Sequence, residues 1–104
     1  MRDHFRLPAG KELIVLELLI AKREMYGLEM VHASGNRLAR GTIYVLLGRM
    51  EDRGYVKSRQ VKEPNSSGMA KRVYSVTGLG ERAFNAWREA ATYLTGDFGW
   101  SAAS

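Results

Sequence analysis

Apolar residues recur along most of this chain at spacings of three and four, and at a spacing of two in two short stretches. In RGTIYVLLGRMEDRGYV, from Arg40 to Val56, residues Ile43, Leu46, Leu47 and Met50 fall at i, i+3, i+4 and i+7. That spacing is one buried helical stripe. The opposite side of the same helix carries Gly41, Val45, Gly48 and Asp52. Two glycines inside a helix cost roughly 1 kcal/mol each relative to alanine. A sequence tolerates such a cost when the helix must lie close against something. Arg40, Thr42, Tyr44 and Arg49 border this bare strip. The helix stops at DRG, where Gly54 is a natural terminal residue.

Upstream, Gly10 to Lys22 reads as a first helix that is apolar around most of its circumference. Such a helix belongs in a core or a subunit interface. KREMYG breaks it, and a second short helix follows from about Tyr26 to Ser34, turning Leu28, Val31 and Met30 inward. SGNR is turn chemistry, with Gly35 and Asn36 both comfortable at positive φ. After Gly54 the period changes to two. YVKSRQV alternates, with Val56 on one face and Lys57 and Arg59 on the other. KEPNSSGMA is a loop by composition, and KRVYSV alternates again, which predicts a β-hairpin with a long tip. Thr77 caps a final helix to about Thr95, with Gly80 standing where a capping box would place glutamate. The tail GDFGWSAAS is expected to be poorly ordered.

The predicted order is helix, helix, turn, helix, hairpin, helix. It describes a mainly α fold with a small β-hairpin, the winged helix-turn-helix, in which the second helix of the pair enters the DNA major groove. Residues 1–9 form an N-terminal arm, 10–76 the winged domain, 77–95 a C-terminal dimerisation helix and 96–104 a flexible tail. On this reading the glycines keep the third helix slim, so that its backbone approaches the base edges.

Charge sharpens the picture. From Arg37 to Arg72 there are nine Lys or Arg and three Asp or Glu, a balance of +6, so with a net charge of +5 the rest of the chain sums to −1. A segregated excess of this kind attracts a polyanion. The expected DNA contacts are Arg40, Thr42, Tyr44, Val45 and Arg49 on the third helix, with Lys57, Arg59, Lys62, Lys71 and Arg72 on the wing. Tyr44 is open to two roles, a phosphate contact or the cover of a core edge.

With 104 residues, one domain is the natural expectation. The absence of cysteine excludes disulfides and thiolate metal sites. The longest apolar run, LIVLELLIA, is too short for a bilayer and is interrupted by Glu17. No secretory signal precedes it, so a cytoplasmic location with no membrane partner is expected. Neither His4 nor His32 has a carboxylate or cysteine at ligand spacing, so no metal or cofactor is expected. No nucleophile–base pair, phosphate-cradling loop or paired carboxylate is present, which argues against an enzyme.

Three segments together resemble the PadR-like winged-helix transcriptional regulators over about Leu13 to Ala83. LIVLELLIAKREMYGLEMV is similar to that family's first two helices, with an apolar run leading into a Tyr-Gly pair. GTIY followed by RMEDRGYV is similar to its recognition helix, and KRVYSVTGLG to its second wing strand. The chain departs from the family's usual serine at Ala39, proline at Val45 and charged residue at Gly48. The first change removes an obvious cap, for which Asn36 is a distant substitute. The other two alter the groove-facing strip and imply a distinct DNA sequence. The resemblance implies a homodimeric repressor on a near-palindromic operator, pairing through the last helix.

On that last helix Phe84, Trp87, Ala91 and Leu94 make a stripe at i, i+3, i+7 and i+10. Together with Leu13 and Leu16 of the first helix, it is the expected dimer seam. Phe84, Trp87 and Ala91 also offer an aromatic wall for a planar aromatic small molecule. Two readings of another class stand beside the repressor: a winged-helix protein-interaction module and an RNA-binding accessory protein. The basic wing argues against the first. The scarcity of exposed aromatics for base stacking argues against the second.

Overall fold

The first helix, α1 (Lys11–Lys22), is apolar nearly all round, and its own protomer buries one side of it fully and the flanks in part. The computed structural model, which describes residue 8 and residues 10–62 and 70–95, packs α1 against several of the later elements. Those later elements are β1 (Glu24–Tyr26), α2 (Gly27–Ala33), α3 (Ile43–Asp52), β2 (Val56–Lys62), β3 (Ala70–Val76) and α4 (Gly78–Thr95). Val15, Leu16 and Leu19 of α1 are fully buried, and each such side chain contributes about 1.5–3 kcal/mol of burial. Leu16 therefore does not face a second subunit. The dimer-seam expectation fails at that residue because its own core already takes it. Leu13 is half-buried.

The core continues with Met25, Met30, Val31, Leu38, Ile43, Leu47, Met50, Tyr55, Val56, Tyr74 and Ala83, with Leu46 and Phe84 packed at its edge. The stripe expected on α3 is thus the buried one. On α2, Met30 and Val31 point inward as expected, but Leu28 is 44% exposed. In a helix of two turns the core has room for one side only.

The sheet has three strands rather than the two of a hairpin. Its order is β1-β3-β2, antiparallel throughout, with Met25 opposite Tyr74 and Tyr74 opposite Ser58. The extra strand, EMY, lies inside the segment read as a helix breaker. The tip of the hairpin, residues 63–69, and the expected arm and tail lie outside the described residues, apart from Pro8, which is buried.

Local chemistry sets the ends of α3. It begins at Ile43, so Gly41 lies in the preceding turn and only Gly48 is inside the helix. No side chain caps it. The Ala39 carbonyl accepts the N–H groups of Thr42 and Ile43 at 3.2 and 2.9 Å, a backbone turn that replaces the missing serine. At the other end Gly54 has φ 81°, with Tyr55 N–H bonded to the Met50 carbonyl and Gly54 N–H to that of Glu51, both 2.9 Å. That pair of bonds is a Schellman stop. Gly35 and Asn36 close α2 in the same left-handed way.

Thr77 joins the two ends of the domain. Its hydroxyl accepts the Gly80 N–H at 3.0 Å, as expected of a cap. The same oxygen lies within hydrogen-bond distance of the Gly54 and Tyr55 carbonyls. Gly80 is small for a packing reason: a Cβ there would overlap the Tyr55 carbonyl oxygen.

Candidate nucleic-acid interface

The outer side of α3 carries one apolar side chain, Val45, which is 58% exposed. Around it Arg40, Gly41, Thr42, Tyr44, Arg49 and Asp52 are all exposed. A Cβ added at Gly41 or at Gly48 would meet nothing within 4 Å. Neither glycine has positive φ. Packing and backbone geometry therefore leave both glycines unexplained within the protomer.

Of the two roles left open for Tyr44, the packing role is the one on view, and the ring keeps an exposed side as well. Its ring lies over the first residue of α2, where a Cβ on Gly27 would come within 2.7–2.9 Å of three ring atoms. The same side chain is 50% exposed. The Tyr-Gly pair in the sequence is thus explained: Gly27 is the seat that lets Tyr44 stand at the head of α3. Beside it a cleft of about 520 Å³ is lined by Tyr26, Leu28, Glu29, Tyr44, Lys71, Arg72 and Tyr74. Glu29 also closes the α2 N-terminus, accepting the Tyr26 N–H at 2.7 Å.

Strand register divides the basic wing. Alternation puts Ser58, Gln60, Lys62, Arg72 and Tyr74 on the face that carries the core residues Val56 and Met25. Lys57, Arg59, Lys71 and Val73 fall on the other. On the first face Arg72 donates to the Ser58 hydroxyl at 3.0 Å, and Ser58 donates to a Glu51 carboxylate oxygen at 2.8 Å. This relay ties the wing to the C-terminal end of α3. On the second face Arg59 makes a forked pair with Glu24 of β1, at 2.9 Å in its closest contact. The Lys71 ammonium sits 5.5 Å from the centre of the Tyr26 ring and reaches the cleft around the edge of the sheet. Of the expected wing contacts, Lys57 and Arg59 thus lie on the face away from Val56, Lys62 and Arg72 on the face of Val56, and Lys71 lines the cleft beside Tyr44.

Tyr74 is buried beneath this surface. Burial raises its hydroxyl pKa above the ordinary value of 10.0, Glu51 and Tyr44 push the same way, and Arg72 opposes them. Two further arginines in the basic segment serve the fold. Arg53 pairs with Glu12 of α1 at 2.9 Å, and Arg37 donates to the Ser34 carbonyl at the end of α2 at 3.2 Å. Of the residues that sequence reasoning did not single out, Ser58 and Glu51 shared a signal, since the alternation of β2 already set Ser58 on the side of Val56. Glu24 had none, because its partner lies 35 positions away in sequence.

On α4, Phe84 and Trp87 stack with ring centres 6.3 Å apart, and Arg88 lies over the Phe84 ring. Phe84, Trp87 and Ala91 are half-buried, whereas Tyr93 and Leu94 are 79% and 83% exposed. Among the described residues no group of three or more acidic, histidine or cysteine side chains could hold a metal. No helix among them is long and apolar enough to cross a membrane.

The model of the transcriptional regulator PadR-like family matches residues 15–86. The chain belongs to that family. It is a transcriptional regulator rather than an enzyme. A comparison with proteins of curated function returned no match. Solved structures share its fold. A PadR family transcription regulator from Clostridium difficile R20291 is 24% identical, with a TM-score of 0.70 over 84% of this chain and 92% of that one. Bacillus subtilis PadR, solved in complex with operator DNA, is 20% identical, with a TM-score of 0.66 over 74% of this chain and 46% of that one. The PcaV transcriptional regulator of Streptomyces coelicolor, solved with its natural ligand, is 21% identical, with a TM-score of 0.65 over 88% and 62%. The four-helix, three-strand arrangement of this PadR-like chain is the winged helix of these structures.

Proposed function

We propose that this PadR-like protein is a sequence-specific repressor that binds duplex DNA as a homodimer on a near-palindromic operator. The observation that carries the reading is the outer strip of α3, open at Gly41 and Gly48 and bordered by Arg40, Thr42, Tyr44 and Arg49. A helix bare on that side admits close approach to base edges, and the bordering groups reach phosphates and bases. Lys62, Lys71 and Arg72 extend the cationic border onto the wing, where they meet the sugar-phosphate backbone. That Bacillus subtilis PadR, of the same fold, was solved with operator DNA supports duplex DNA as the partner.

Pairing through α4 is supported by its unburied apolar end. Tyr93 and Leu94 project from a helix whose first half alone packs on the core. A second copy covering Phe84, Trp87, Ala91 and Leu94 would bury them, with Leu13 beside them. A two-fold axis there sets two recognition helices about one turn of DNA apart. The Phe84–Trp87 stack offers a face to a planar aromatic effector. An effector favouring the DNA-incompetent arrangement releases the operator by its differential affinity.

The deciding experiment is competition binding of the full-length protein to duplex DNA, RNA and single strands, followed by selection of bound duplex fragments. Preference for one duplex sequence with dyad symmetry supports the reading. Preference for RNA, or no nucleic-acid binding, transfers the fold to one of the other two roles. Titration of planar aromatic compounds in a Trp100→Phe background tests the effector site. Quenching of the Trp87 emission must track DNA release.

A further inference from the structure

Every apolar side chain of α3 but one has a place in the protomer that accounts for it. Ile43, Leu47 and Met50 are buried, Leu46 packs against the core and Tyr44 rests on Gly27. Val45 is the exception, exposed on the outer face. Its β-branch makes it a poorer helix former than leucine or alanine, so local propensity does not account for it. It is the third residue of α3, in the N-terminal turn that such helices present to base edges. One turn further along the same side stands Gly48, with open space where a side chain would be. The valine methyls are therefore open on the Gly48 side.

The major-groove edges of the four bases carry donors and acceptors, with one apolar exception, the C5 methyl of thymine. Valine has no hydrogen-bonding group. Set against a donor or acceptor, it strips water from that atom and returns nothing. Against a thymine methyl it buries apolar surface on both sides. We infer that Val45 is a specificity-determining residue that reads a thymine methyl in each half-site of the operator. The inference rests on the DNA-binding reading above and adds the identity of one base and the atom by which it is read.

The test begins with the duplex selected by the full-length protein. Each thymine is replaced in turn by deoxyuridine, which removes the C5 methyl and leaves pairing and the O4 acceptor intact. Binding is measured at fixed salt. One thymine per half-site is expected to show about a fourfold loss, the weight of one buried CH2-sized group, and about fifteenfold when both are changed. In Val45→Ala the penalty at that thymine should shrink toward none while penalties elsewhere stay. Val45 is exposed, so this variant is expected to fold, and its thermal melt confirms that. If no thymine methyl matters, or if the sensitive one keeps its full penalty in Val45→Ala, the inference is overturned while the repressor reading stands. A protein that selects no duplex sequence overturns both.

Discussion

Replacing Gly48 with alanine sets the demands of the fold against those of the interface. Gly48 is in the interior of α3, its φ is not left-handed, and a Cβ there meets nothing within 4 Å. The substitution therefore introduces no clash. It recovers roughly 1 kcal/mol of helix propensity, part of it through the restricted unfolded chain. For a domain of this size that corresponds to a rise of about 4–8 °C in melting temperature. The same methyl stands on the strip assigned to the major groove. Overfilling a packed contact costs typically ~1–3 kcal/mol, so operator affinity should fall by about fivefold to more than a hundredfold. The assays are a circular-dichroism melt of the free protein and anisotropy of labelled operator at fixed salt. A lower melting temperature would refute the open geometry at Gly48. A higher one with unchanged affinity would refute the close approach of this helix to DNA.

Three further outcomes are expected. Gly27→Ala should swing the half-exposed Tyr44 ring off its seat at a small cost in stability, and a double-mutant cycle with Tyr44→Ala should be non-additive, since the clash vanishes with the ring. Lys71→Ala combined with Arg72→Ala should weaken binding to all duplexes alike and flatten the salt dependence by up to about two units of slope per subunit, measured by titration across salt concentrations. The raised pKa of Tyr74 means that the folded state holds this proton more tightly than the unfolded chain does. Its contribution is fully present below the ordinary value of 10.0 and is lost as pH rises through the higher folded value. Denaturant titrations on the alkaline side of that value should show a loss of stability that Tyr74→Phe lacks.

Local periodicity carried much of the fold. The core stripe of α3, the Gly54 stop and the Thr77 cap are each decided within a few residues, so the chain states them directly. β1 was hidden because three residues, Glu24–Tyr26, are too few for an alternation and are held in place by β3, which lies far along the chain. Leu28 was misread because apolar character alone does not say which side of a two-turn helix the core reaches. In the candidate site the basic segment and the bare strip were legible from composition and spacing. The division of the wing was not, because Arg59 meets Glu24 only across a strand order that the sequence does not announce. The loss of Leu16 from the dimer seam has a similar cause: an all-round apolar helix reads the same whether its own protomer or a partner covers it.

Thr77 acts as a fulcrum. Its hydroxyl group grips the chain at the Gly54 and Tyr55 carbonyls, where α3 ends, and caps the helix that departs from there. At ~1.5 Å per residue that helix is a lever of roughly 27 Å, so a sideways step of about 2 Å at its far end is a rotation of roughly 4° at the pivot. Arg53, the last residue before the Gly54 stop, is braced against α1 by Glu12, so the pivot stands on a fixed footing. The helix that carries the exposed Leu94 is thus bonded, at its start, to the residues that close α3.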